Sequence, residues 1–141
     1  MDATQLIEDL KSDEGWVPFA YKDNLGYLTI GYGFLIDEQK GGRLPKEIGE
    51  AWLKYEAQNK WDEVVNKEPW LADQPEDVQR AVANMAYNLG VSGVLGFKKM
   101  LLSLKNNNRT EAAEHALDSR WAMQVGLRAK RVSDLICGKA L

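Results

Sequence analysis

The sequence predicts an α+β fold that is mainly helical: one bilobed domain over residues 1–141, with a small antiparallel β-hairpin lobe, a long linking helix and a helical C-terminal lobe. Three observations carry that expectation. Residues 19–22 and 27–32 are aromatic and β-branched runs flanking the turn-forming stretch 23–26, which is the pattern of a hairpin. From Pro45 onward, Ile48, Trp52, Tyr55 and Val64 or Val65 recur at helical spacing. Further apolar stripes, punctuated by Pro69, Pro75, Gly90 and the run Asn106, Asn107, Asn108, predict a succession of shorter helices. With 141 residues, 45% of them hydrophobic, the chain is long enough for one sizeable core. The expected divisions are a β lobe at about 16–44, a linking helix at about 45–66, and a helical lobe made of about 1–15 together with 67–141.

In chain order, Thr4 or Asp2 can cap a first helix that runs to Glu14, and Gly15 can take the left-handed conformation that ends it. Pro18 enforces the break. Gly31 and Gly33 weaken the strand that holds them. They need a reason: strand twisting or a bulge, or the close approach of another backbone or a sugar ring. Gly41 and Gly42 close the β region. Pro45 suits the first turn of the long helix, whose Gly49 weakens it only slightly. Pro75 or Glu76 starts a helix that turns Val78, Val82, Met85, Ala86 and Leu89 inward and stops at Gly90. Residues 97–104 form another apolar helix, Thr110 caps one from Glu111 to Leu117, and the last covers residues 127–136.

The chemistry concentrates in residues 12–34. Glu14 closes the first helix over its apolar stripe of Leu6, Ile7 and Leu10, Asp23 stands in a polar turn between Lys22 and Asn24, and Thr29 lies on the returning strand. Glycosidic cleavage needs such a set: one carboxyl to give a proton to the leaving oxygen, another to steady charge or aim a water. Glu14 is the candidate acid, and Asp23 with Thr29 the candidate water-holding pair. Each residue also has an ordinary reading, as a helix-end carboxylate, a turn former and a β-branched strand residue respectively.

Three spaced segments decide between these readings. Asp13-Glu14-Gly15, Tyr21-Lys22-Asp23 and Gly26-Tyr27-Leu28-Thr29-Ile30-Gly31-Tyr32-Gly33 together resemble the motif of the phage-type lysozymes, family 24 of the glycoside hydrolases. Ser119-Arg120-Trp121 and Arg128-Ala129-Lys130-Arg131-Val132 resemble that family's last helical region, so the likeness runs nearly end to end. It departs at Phe34, where relatives commonly carry a histidine read as a structural support. The resemblance implies a lysozyme-like domain with Glu14, Asp23 and Thr29 catalytic. Gly31, Tyr32 and Asn88 become candidate substrate contacts, although Asn88 also reads as a helix C-cap. Arg128 is expected to pair with Glu14, and Arg131 with Asp13.

Composition narrows the function classes. A net charge of −3 argues against a nucleic-acid partner, although Arg128 to Arg131 form a local basic segment. No apolar run approaches the ~20 residues of a membrane span, and the first residues lack a signal peptide's basic and apolar regions. Cys137 is the single cysteine, which excludes an internal disulfide, and His115 is the single histidine. With no Cys/His cluster the expectation is no metal and no cofactor, and serine or cysteine triads lack a convincing base. The resemblance to the phage-type lysozymes implies an endolysin, expected to be monomeric, that hydrolyses bacterial peptidoglycan by an inverting mechanism. It would stay in the host cytoplasm until a holin releases it to the periplasm and wall. Alternatives are a lytic transglycosylase, which needs a catalytic Glu but no aimed water, and a wall-binding module without catalysis.

Overall fold

In the computed structural model, which describes residues 1, 3–36 and 42–139, residues 4–35 form a helix followed by a small sheet. Helix α1, Thr4–Glu14, ends at Gly15, whose φ of 72° relieves the turn away from the helix, and whose N–H donates to Lys11 O. Thr4 lies inside the helix and Ala3 holds the N-cap position, while Asp2, the other expected cap, and Gly41 lie outside the described residues. No residue of α1 is buried, and its apolar stripe of Leu6, Ile7 and Leu10 is two-fifths or more exposed. Glu14 at the end of that stripe is exposed as well.

Strands β1, Val17–Lys22, β2, Leu28–Gly31, and β3, Phe34–Leu35, make an antiparallel sheet in the order β1-β2-β3. The sequence expectation contained the first two strands and not the third. Val17 pairs with Gly31, but Tyr21 pairs with Thr29, so β1 carries a bulge between Val17 and Tyr21. Pro18 sits in that bulge rather than ahead of the strand. A residue without an N–H is tolerated on an edge strand where the ladder is already interrupted. Thr29, paired with Tyr21 on one side and Leu35 on the other, is central and 4% exposed.

The chain divides into two compact units, Met1–Glu50 and Ala51–Leu141. Helix α1 belongs to the first unit with the sheet, whereas the sequence reading assigned it to the helical lobe. Helix α2, Lys46–Lys67, matches the expected long helix to one residue at each end. Its 22 residues give a length of about 33 Å. Ile48, Trp52 and Tyr55 on it are exposed, and only Val64 is fully enclosed.

The second unit holds the core. Helix α3, Glu76–Leu89, turns Val78, Ala81, Val82, Met85 and Ala86 inward, the i, i+3, i+4, i+7, i+8 stripe of one helical face. It packs on α4, Val91–Leu95, and on α8, Leu127–Cys137, with Gly90 as the break between α3 and α4. Helices α5, Lys98–Lys105, and α6, Arg109–Leu117, pack on each other, and α6 also packs on α8. Asn108, not Thr110, caps α6: its side chain accepts from Glu111 N at 3.1 Å. A short α7, Arg120–Val125, starts at Ser119, whose hydroxyl accepts from Ala122 N. Arg109 clasps three helices. Its guanidinium donates to Ile136 O and Leu135 O at the end of α8 and forms an ion pair with Asp77 of α3 at 2.7 Å. That contact holds the Asp77 carboxyl below the ordinary carboxylate range, chiefly through the direct hydrogen bond.

Candidate active site

The hairpin turn is built around Asp23. Its Oδ1 accepts from Leu25 N and Tyr27 N, both at 2.9 Å, its N–H donates to Tyr27 O at 2.8 Å, and its carbonyl accepts from Gly26 N. An aspartate that binds its own turn in this way orders the loop locally. The turn-former reading of Asp23 is therefore part of its geometry, and it constrains the catalytic reading because one carboxylate oxygen is already engaged.

Thr29 hangs from the same residue. Its Oγ1 donates to Tyr27 O at 3.3 Å, a long bond, so the hydroxyl is only lightly held. The peptide groups of Tyr27 thus anchor both members of the expected water-holding pair, the N–H through Asp23 Oδ1 and the carbonyl through Thr29 Oγ1.

Glu14, exposed at the end of α1, reaches the turn between β2 and β3, at Gly33. A Cβ built on Gly33 would lie 2.5 Å from Glu14 Oε2 and 3.1 Å from its carboxyl carbon, so the carboxylate rests directly against the Gly33 backbone. A Cβ on Gly31 would lie 2.8 Å from the Phe34 ring and 3.5 Å from Trp16. Both glycines have positive φ, 72° at Gly31 and 71° at Gly33. Close approach and backbone conformation therefore act together, and the approaching groups come from within the chain. Tyr32, between the two glycines, contacts Trp16 and Phe34. Lys11, one turn before Glu14, has its ammonium pKa raised mainly by its hydrogen bond to Glu8, with a smaller contribution from Tyr32.

The remaining candidates lie in or beside the two units as follows. Asp13 is exposed on α1 beside Glu14, and Arg131 is exposed on α8. Arg128, near the start of α8, donates from Nε to Asn84 Oδ1 at 2.9 Å. Asn88 accepts from Trp121 Nε1 at 2.7 Å, a bond that ties α3 to α7 and leaves the amide NH2 of Asn88 to make other contacts. Its pairing with an indole is neither of the two roles read from the sequence. The expected pairs Arg128 with Glu14 and Arg131 with Asp13 join residues of different units and stay expectations. Gly33 as a seat for Glu14 was not read from the sequence, although the Gly-x-Gly pattern marked the place. Among the described residues, no group of three or more His, Cys, Asp or Glu is arranged to hold a metal ion, and no helix is long and apolar enough to cross a membrane.

Comparison with known proteins identifies the family. The phage lysozyme family matches residues 11–136. The chain is 30% identical to the pre-baseplate central spike protein Gp5 of Enterobacteria phage T4, over 93% of this chain and 27% of that protein. It therefore spans about a quarter of the spike protein's length. It is 29% identical to the probable T4-type lysozyme 1 of Dictyostelium discoideum, covering 94% of each, and 28% identical to the probable T4-type lysozyme 2 of the same organism, covering 92% and 91%. With a match running from the helix that bears Glu14 to the end of α8, the chain belongs to the phage lysozyme family of glycoside hydrolases.

Proposed function

We propose that this chain is an endolysin that cleaves the β-1,4 bond between N-acetylmuramic acid and N-acetylglucosamine in bacterial peptidoglycan, with inversion at C1. The observation that carries the reading is the shared anchor of Asp23 and Thr29 on Tyr27, which sets a carboxylate and a lightly held hydroxyl on one hairpin. Glu14 donates its proton to the glycosidic oxygen, and its exposure leaves it within reach of a polymer. A water held by Asp23 and Thr29 attacks C1 from the opposite face and gives its proton to Asp23. The hydroxyl, both donor and acceptor, can share that water with the carboxylate. The protein acts as one monomeric catalytic domain without a cofactor, and a holin releases it from the host cytoplasm to the wall for lysis. The arginine pairings Arg128 with Glu14 and Arg131 with Asp13 belong to the same proposal.

The test adds purified protein to outer-membrane-permeabilised Gram-negative cells and follows turbidity, with Glu14→Gln in parallel. Clearing by the wild type alone is the expected result. Clearing by a folded Glu14→Gln would remove Glu14 from the acid role. Nuclear magnetic resonance of the fresh muramyl end distinguishes mechanisms: an α-anomer first supports inversion, an initial β-anomer means retention, and an anhydro end means transglycosylation.

A further inference from the structure

Three aromatic rings gather at the end of the sheet beside Glu14. Trp16 and Tyr32 have ring centroids 5.0 Å apart at a 50° tilt, and Tyr32 meets Phe34 edge-on at 6.4 Å. Gly31 lets this happen, because a side chain there would strike the Phe34 ring and touch Trp16. Yet the rings do not form a closed core. Trp16 is 61% exposed and Phe34 59%.

Large aromatic surfaces left open and contiguous cost hydration free energy and mark a binding surface more often than an accident of folding. Chain connectivity places this surface at the proposed reaction centre: Trp16 is two residues beyond Glu14, and Tyr32 and Phe34 flank Gly33, against which the Glu14 carboxylate rests. We infer that Trp16, Tyr32 and Phe34 form a stacking platform for a pyranose ring of an N-acetylated β-1,4-linked glycan, next to the acid. This inference rests on the glycosidase reading and specifies how that site holds its sugar.

The chemistry favours a sugar over other flat or apolar ligands. A pyranose in its chair form presents a face of axial C–H groups, which suit the negative face of an aromatic ring. Its equatorial hydroxyls and acetamido group point outward, where the phenol of Tyr32 can donate or accept. A nucleic acid would also stack, but single-strand binders pair their rings with a positively charged groove. Here the charged groups beside the rings are the Glu14 carboxylate, held against Gly33, and the Lys11 ammonium, which feels Tyr32 but is bonded to Glu8, and the whole chain carries −3. A neutral glycan meets no such repulsion.

The experiment uses the full chain. Binding of the tetramer of β-1,4-linked N-acetylglucosamine is measured on Glu14→Gln protein, alone and combined with Trp16→Leu, Trp16→Phe or Phe34→Leu. In parallel, lysis kinetics are recorded with Glu14 intact. Leucine keeps apolar bulk and removes the flat face. Trp16→Leu and Phe34→Leu are each expected to weaken tetramer binding about fivefold and to raise KM more than they lower kcat, with Trp16→Phe recovering most of the loss. Unchanged binding in either folded leucine variant would overturn the platform. If a leucine variant fails to fold, the Trp16 indole N–H resonance of the Glu14→Gln protein is followed as tetramer is added: a shift supports the platform, and an unmoved resonance rejects it. The outcome separates the two readings. Tetramer binding that depends on Trp16, without any hydrolysis by the wild type, would sink the glycosidase reading alone, whereas hydrolysis with binding and KM indifferent to Trp16 and Phe34 would sink the platform alone.

Discussion

Replacing Gly33 by alanine tests the seat of the proposed acid directly. The new Cβ would lie 2.5 Å from Glu14 Oε2, where ordinary contact begins at 3.4 Å, so the carboxylate must retreat by about 1 Å. Glu14 is a flexible, exposed side chain, and moving it costs little stability. Catalysis is less forgiving, because a displacement of about 1 Å from the reacting geometry can cost ~100-fold in rate, about 2.7 kcal/mol of barrier. The backbone adds a separate effect: φ of 71° is strained for alanine by about 1–3 kcal/mol, enough to lower the melting midpoint by several degrees. Gly90→Ala provides the comparison, since Gly90 has φ of 82° and nothing within 4 Å of its added Cβ. Both variants should melt earlier. Only Gly33→Ala should lose lysis rate per folded molecule, by about two orders of magnitude, measured as initial turbidity loss well below both midpoints. A Gly33→Ala protein that is folded and within about threefold of wild-type rate would refute the argument that Gly33 positions the acid.

Three further outcomes follow from the described contacts. Thr29→Val should lower kcat by about 100-fold while changing the urea midpoint by less than about 1 kcal/mol equivalent, because the only described bond it removes is the long one to Tyr27 O; an active variant would take the hydroxyl out of the mechanism. Because Arg109 lowers the Asp77 carboxyl pKa in the folded state, the pair stabilises fully above about pH 4 and loses its effect as pH falls through the folded value. Wild type should therefore lose more stability than Asp77→Asn between pH 5 and 3, modestly since both side chains are about a third open to solvent, and parallel stability curves would contradict the pairing. Asn108→Ala should cost about 1 kcal/mol by thermal melting through loss of the α6 cap, with Thr110→Ala costing less.

The long helices and the hairpin were legible because their signals are local. The stripe of α3, the Gly90 stop and the apolar pattern of α8 each lie within one or two turns, and α2 came out displaced by a single residue. Strand β3 and helices α4 and α7 are two, five and six residues long, too short for any periodicity to register. Proline at position 18 misled because its meaning depends on pairing: a bulge between the Val17–Gly31 and Tyr21–Thr29 pairings accommodates it inside β1. The α6 cap went to Asn108 over Thr110 because the chain enters the helix two residues earlier than the hydroxyl suggested. At the site, Glu14, Asp23 and Thr29 were candidates from residue type, and the resemblance of their three segments to the family motif gave them their expected roles. The turn-forming role of Asp23 was legible as well, but the contact of Glu14 with Gly33 was not, since it depends on backbone angles and on through-space approach.

Among the described residues, every buried apolar side chain lies at or beyond Val64, whereas the three proposed reacting groups lie before residue 30. The unit that carries these proposed groups is held by a short three-stranded ladder, one self-bonded turn and a few ring contacts. Its opening free energy should sit at the low end of the range spanned by the chain. Heat should then silence the enzyme before it melts the protein, because helical ellipticity mostly records the second unit while turnover depends on the first. A glycan bound to the first unit raises its opening free energy by mass action without touching the core. The wall itself would then act as a thermal protectant, and lysis started in contact with cells would survive temperatures that inactivate the protein heated alone.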